Sequence, residues 1–182
     1  MSNNSFNITI FLIGFMGVGK SHYGRLLAKS LNFKFLDTDC VIEKNEKSSI
    51  LDIFQQKGEP YFRDLENDLI RSGLPNDPCV VACGGGLPLQ EGNMGLLKSK
   101  GVVIGLFASN ETILERTNRN KKRPLLNVPN PKQAIRDMLT ERVPKYLEAD
   151  ISISTDDRSP SDVVKAIVRS YSKYCSKLDE AN

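Results

Sequence analysis

Four groups of residues in this chain have types and spacings that could do chemistry. The first is Gly14-Phe15-Met16-Gly17-Val18-Gly19-Lys20-Ser21, which fits G-x-x-x-x-G-K-[ST] behind an apolar run and ahead of an amphipathic stretch. In that setting the glycines let the backbone bend round a polyphosphate, with several N–H groups turned inward at the positive end of a helix dipole. Lys20 supplies a point charge between the β- and γ-phosphates, and the Ser21 hydroxyl can ligate Mg²⁺. A plain Gly-rich turn ahead of a helical lysine is the bland alternative, and it leaves the strand-loop-helix context unexplained. The second group, Asp37-Thr38-Asp39, ends another strand-like run. If the strand persists, alternation puts both carboxylates on one side. One could then hold Mg²⁺ through water while the other accepts a hydrogen bond or the proton of an attacking hydroxyl. Either could equally cap a following helix. The third group, Gly84-Gly85-Gly86, follows a strand and leaves main-chain N–H groups open to a ligand, or else makes a flexible turn before Pro88. The fourth is a pair of arginines, Arg63 and Arg142, suited to bidentate capture of an anionic substrate. Arg63 falls in the first turn of an expected helix, where the dipole disfavours a cation.

The surroundings of the phosphate loop narrow what receives the phosphate. A guanine switch protein needs Asn-Lys-x-Asp, and the nearest approach, Asn120-Lys121-Lys122-Arg123, ends in a cation. An ATPase motor would end its second core strand in an acidic residue, whereas here three glycines stand there. A small-molecule acceptor fits better, bound in the crevice at the carboxyl ends of parallel strands.

The elements that must hold these groups alternate between apolar runs of strand length and amphipathic runs of helix length, the pattern of a parallel sheet covered on both faces. Strands are predicted over Asn7 to Ile13, Lys34 to Leu36, Pro78 to Cys83, Gly101 to Phe107 and Asp150 to Ser154, most of them apolar throughout. Helices are predicted over Lys20 to Leu31, Ile50 to Gln56, Pro60 to Arg71, Glu91 to Ser99, Glu111 to Arg119, Pro131 to Tyr146 and Pro160 to Lys177. Asn130 before Pro131 and Ser159 before Pro160 give two of them a capping oxygen ahead of a proline at the first helical position. The segment Asn118 to Asn130 resists assignment. Its cations, Arg119 and Lys121-Lys122-Arg123, are either a solvated surface or a loop that closes over phosphate.

Composition sets the outer limits. The chain has 182 residues, 40% of them hydrophobic, and its 25 basic against 22 acidic side chains leave a net charge of only +3. That suits one folded domain, without the basic face that nucleic-acid binding leaves. The run Ile8 to Ile13 falls short of the roughly 18 apolar residues a membrane helix needs, and the amino-terminal residues lack the basic start of a secretory signal. A cytoplasmic protein is therefore expected. Cys79 and Cys83, placed on one strand, would stand roughly 13 Å apart, too far for a disulfide or a shared metal. With His22 the only histidine, a zinc site is not expected, and His22 itself reads as structural or exposed.

Taken in order, several motifs are more specific than the phosphate loop. These are Phe35-Leu36-Asp37-Thr38-Asp39 with Ile42-Glu43, Ile53-Phe54 with Gly58-Glu59 and Phe62-Arg63, Gly84-Gly85-Gly86, Arg123-Pro124-Leu125-Leu126, and Glu141-Arg142-Val143-Pro144-Lys145-Tyr146. From about Ile10 to Ile167 the sequence resembles the shikimate kinases, ATP-dependent enzymes that phosphorylate the 3-hydroxyl of shikimate on the route to chorismate and the aromatic amino acids. The resemblance implies a P-loop three-layer α/β/α sandwich with a five-stranded parallel sheet of order 2-3-1-4-5. It implies a single kinase domain over 1–182, with a substrate-binding helical segment about 37–71 and a lid about 118–130.

By the same likeness Asp39, Arg63, Gly84, Gly85, Gly86 and Arg142 bind shikimate, and Lys20, Asp39 and Arg123 carry catalysis. Ser21 and Asp37 serve Mg²⁺. The nucleotide set is Gly17, Val18, Gly19, Lys20, Ser21, His22, Arg116 against adenine, Arg123 in the lid, and Pro160. ATP, Mg²⁺ and shikimate are the expected partners of a monomer, with no nucleic acid and no membrane. A related small-metabolite kinase such as a gluconate kinase is the nearest alternative. A nucleotide-binding regulatory module without turnover would leave Asp39 and both arginines unexplained. The sequence departs from the family pattern at His22-Tyr23, at Lys47-Ser48 and in the extra cations of the lid.

Overall fold

The computed structural model describes residues 8–118 and 130–181. The expected lid, with Arg123, therefore lies outside the described residues except at its two ends. Five parallel strands form one sheet in the order β2-β3-β1-β4-β5. They are β1 (Thr9–Ile13), β2 (Lys34–Asp37), β3 (Cys79–Ala82), β4 (Gly101–Phe107) and β5 (Ile151–Ser154). The three central strands β3, β1 and β4 are buried almost throughout, as apolar runs without alternation require. The edges differ from expectation: β2 is only half-buried and exposes Lys34, while in β5 Ser152 and Ser154 face outward beside buried Ile153. An edge strand has a neighbour on one side only, so its outer residues meet water.

Among the described residues seven α-helices flank the sheet: α1 (Lys20–Leu31), α2 (Thr38–Glu46), α3 (Ile50–Ser72), α4 (Asn93–Lys100), α5 (Asn110–Asn118), α6 (Pro131–Tyr146) and α7 (Pro160–Ala181). Both proline-led starts behave as predicted, Asn130 accepting from the Gln133 N–H and Ser159 from the Asp162 N–H. Helix α2 is absent from the helices read from periodicity, because its nine residues show little amphipathic pattern of their own, and it falls in the helical segment about 37–71 that the resemblance implies. The two helices predicted on either side of Gly58 are both present and run together as α3, broken by a bend at Gly58, whose φ of 83° and ψ of 169° are not helical. Pro60 tolerates the bend because it has no N–H to leave unpaired.

The main core gathers the central strands with Leu27, Leu97, Ile113, Val163, Ile167 and Tyr171. A separate small cluster, Ile42, Ile53, Phe62 and Leu69, joins α2 to α3. Burial of four such side chains supplies about 1.5 to 3 kcal/mol each, enough to fix one helix on the other.

Candidate active site

Behind β1 the chain turns through Gly14, Gly17 and Gly19, all at positive φ, and enters α1 at Lys20. A Cβ at Gly14 would collide with the Leu106 carbonyl oxygen, and one at Gly19 would come within 2.6 Å of the Tyr23 ring, so bare backbone is required there. Tyr23, 4% exposed, thus packs directly beneath the loop, with His22 edge-on to it at 5.2 Å. The departure at His22-Tyr23 accordingly changes the support of the loop while His22 remains on the cleft wall. Lys20 Nζ donates to the carbonyl oxygens of Gly14 and Phe15 at 2.8 and 3.1 Å. Ser21 Oγ donates to Asp37 at 2.5 Å.

The second strand does not persist through both aspartates. It ends at Asp37, whose other oxygen caps α2 by accepting from the Cys40 N–H, and Asp39 sits in the first turn of that helix. Asp37 therefore caps a helix, one of the jobs weighed for it, and also accepts from Ser21. Helical geometry, not strand alternation, brings Asp39 to the cleft. Burial pushes its carboxyl above the ordinary range, and the neighbouring Asp37 charge adds to this against the pull of Lys20.

Arg63 lies on α3 just beyond the bend. Its Nε and Nη2 donate to Glu59 Oε1 at 3.1 and 2.7 Å, and its Nη1 donates to Glu66 at 2.7 Å. These two carboxylates explain how a cation is tolerated at a helix start. Burial works against the guanidinium charge, and the hydrogen bonds that Arg63 donates to Glu66 and Glu59 more than offset it. Glu66 itself is fully buried, also accepts from Gln90 at 3.0 Å, and keeps Oε1 without a hydrogen-bond partner. Burial pushes its carboxyl up to about 7.

The triple glycine after β3 is held from two sides. The Gly84 N–H donates to Thr38 Oγ1 at 2.8 Å, and the Tyr146 hydroxyl donates to the Gly85 carbonyl at 2.8 Å. Both side chains are 1% exposed. A Cβ at Gly84 would stand 2.6 Å from Asp39 and from Glu66, and one at Gly86 would stand 2.5 Å from the Arg63 guanidinium. These contacts hold the turn from both sides. Arg142 lies 5.9 Å from the Phe15 ring centroid, one helical turn before Tyr146 on α6.

Phosphate loop, carboxylates, glycines and arginines thus line one cleft of about 660 Å³, large enough for a nucleotide's phosphates beside a small metabolite. Residues 16–172 match the family model described as shikimate kinase. The chain belongs to the shikimate kinase family. Shikimate kinase from Thermodesulfovibrio yellowstonii is 43% identical over 164 residues, which cover 90% of this chain and 95% of the relative. The shikimate kinase of Acinetobacter baumannii, solved in complex with shikimate, superposes with a TM-score of 0.83 at 39% identity, covering 90% of this chain and 92% of that one. A gluconokinase from Sinorhizobium meliloti shares the fold, at a TM-score of 0.60, with 14% identity over 97% of this chain and 98% of its own. At that identity the likeness carries architecture alone. As a shikimate kinase the chain is an ATP-dependent phosphotransferase that phosphorylates the 3-hydroxyl of shikimate.

Of the residues the shikimate kinase resemblance pointed to, Gly17, Gly19, Lys20, Ser21, His22, Asp37, Asp39, Arg63, Gly84, Gly85, Gly86, Arg116 and Arg142 stand on the cleft wall. Arg116 Nη1 reaches the Val18 carbonyl at 3.4 Å and buried Thr155 at 3.1 Å. Val18 is buried in the core, and Pro160 is an exposed first residue of α7 away from that wall. Sequence reasoning missed Thr38, Glu59, Glu66 and Tyr146. The spacing Glu59, Arg63, Glu66 on one helix was the available signal for two of them.

Proposed function

We propose that the residues of this cleft divide the shikimate kinase reaction as follows. The N–H groups from Gly17 to Ser21 take the β- and γ-phosphates of ATP. Lys20, now on the Gly14 and Phe15 carbonyls, turns to the phosphates and stabilises charge that shifts toward the β-phosphate. Asp39 accepts the hydrogen bond of the attacking hydroxyl, holds it in line and receives its proton. Its burial, which raises proton affinity, supports that role. Arg63, Arg142 and the main chain of Gly84 to Gly86 hold the rest of the acceptor, with its carboxylate against the arginines. Arg116 supports the base side. Arg123, outside the described residues, is assigned to the lid over 118–130 on resemblance alone.

Mg²⁺ fits the Ser21 and Asp37 pair, an all-oxygen donor set suited to a hard cation. Among the described residues no cluster of three His, Cys, Asp or Glu is placed to cage an ion, so two protein oxygens would share it with phosphates and water. When bound, the ion neutralises charge on the transferring group. The reading needs ATP and shikimate as partners and neither nucleic acid nor membrane. It takes the protein as a cytoplasmic monomer, a setting that suits four free cysteines.

The observation that carries the reading is the convergence of Lys20, Asp39 and both arginines on one cleft. A coupled assay of ADP release with shikimate, gluconate and buffer alone tests it, with turnover expected on shikimate only. Asp39→Asn should lose at least about a hundredfold in turnover while ATP affinity holds. Retained turnover in that variant would reduce Asp39 to a helix residue.

A further inference from the structure

Arg63, the cation proposed for the acceptor side, is engaged by two of the protein's own carboxylates. Glu66 holds Nη1, and the Gly86 backbone lies so close that a Cβ there would stand 2.5 to 2.6 Å from Nη1 and Nη2. The edge formed by Nε and Nη2 is the one suited to a bidentate carboxylate, and a single oxygen of Glu59 takes both donors. The two glutamates differ sharply. Glu66 is fixed from a second side by Gln90 and is 1% exposed at its side chain, whereas Glu59 is 59% exposed and its carboxylate is bound to Arg63 alone among the described contacts.

We propose that Glu59 is an internal place-holder for the acceptor's carboxylate, pairing with Arg63 while the cleft is empty and swinging into solvent when an anionic acceptor takes its edge. The inference rests on the reading that Arg63 grips that carboxylate. An exposed pair four residues apart on a helix stabilises weakly, so an incoming carboxylate can displace it. Between turnovers Glu59 keeps the Nε and Nη2 edge of this half-buried cation hydrogen-bonded, while Glu66 holds Nη1 throughout. The acceptor's affinity is then a difference between two carboxylates on one guanidinium. A neutral analogue has no charge with which to drive the exchange.

The sign of one substitution decides the matter. Glu59→Gln keeps the shape and removes the competing charge. Titration calorimetry of shikimate into this variant should show binding two- to fivefold tighter than wild type, with KM lowered in parallel and ATP affinity unchanged. If Glu59 merely positions Arg63, the same variant binds shikimate more weakly or equally, and the proposal is overturned. The cycle is completed with Arg63→Ala and the double variant. In the Arg63→Ala background Glu59→Gln should have no effect, and a tightening that persists there also overturns the proposal. Arg63→Ala alone separates the two readings. Unchanged shikimate affinity in that variant would remove Arg63 from the acceptor site, whereas weakened affinity without tightening in Glu59→Gln would leave the site standing and remove only the place-holder.

Discussion

The phosphate wall of the cleft, the side proposed for phosphate, comes from one local stretch, Met16 to Ser21 around buried Val18, seated on the buried ends of the central strands. The acceptor wall, the side proposed for the acceptor, draws instead on four parts of the chain. Asp39 comes from α2, Arg63 from α3, the glycines from the end of β3, and Arg142 with Tyr146 from α6. The first wall needs only local backbone geometry and a packed sheet. The second depends on a four-residue apolar cluster, a bend at Gly58 and buried ionic contacts. A phosphate is recognised by N–H groups that any sequence of the right turn supplies. A particular metabolite must be matched by side chains spaced to its own groups, and those come from several elements. The acceptor wall also carries a cost that the phosphate wall lacks, a fully buried carboxyl with one oxygen unpartnered.

The strongest test of this contrast is Lys20→Met. It removes the charge that the phosphate wall supplies to the transition state, so turnover should fall at least about a hundredfold in a folded protein, read by steady-state assay. Near-normal activity would show that the phosphate wall does not need its lysine.

A smaller effect, on stability, should mark the acceptor wall. The Glu66 carboxyl is raised from 4.5 to about 7 in the folded chain. A raised group favours folding fully below its unfolded value and loses that contribution as pH climbs through its folded one. Urea unfolding of wild type and Glu66→Gln, compared between about pH 5 and pH 8, should show the wild type losing stability relative to the variant as pH rises, by on the order of 1 to 3 kcal/mol. A difference flat across that range would mean that Glu66 ionises as an ordinary surface acid does.

The smallest effect is expected of Tyr146→Phe, which deletes the hydrogen bond to Gly85 and the hydroxyl's interaction with Arg142 while keeping the ring. A neutral bond of this kind is worth about 0.5 to 1.5 kcal/mol, so shikimate KM should rise roughly two- to tenfold. ATP KM should hold and kcat change little. If both KM values moved together, Tyr146 would be supporting the whole cleft and the two walls would not be separable.

How much of each wall was legible follows the same division. The G-x-x-x-x-G-K-S stretch could be read directly because every part of it is adjacent in sequence and the strand before it is apolar throughout. The sheet was legible for the same reason, since β3, β1 and β4 are buried on both faces and their sequences show it. Helix α2 was not, because it is short and leans on α3, and a helix with little pattern of its own is decided by its neighbours. That omission misplaced Asp39: alternation along a strand was expected to carry it to the cleft, and a helical turn does so instead.

The glycine-rich loop, the parallel sheet and the residue types needed around the cleft could all be read along the chain. Each of these is written in contiguous runs, where local backbone preference and apolar periodicity act over a few residues. The long-range contacts of the cleft came only with the packing of helices on the sheet. That packing placed Thr38 and Tyr146 on the two sides of the glycine loop, Gln90 on Glu66, and Asp37 on Ser21. Those pairings join residues as far apart as Gly85 and Tyr146, whose approach is fixed by helices packing on a finished sheet, and no local pattern in the chain encodes that distance.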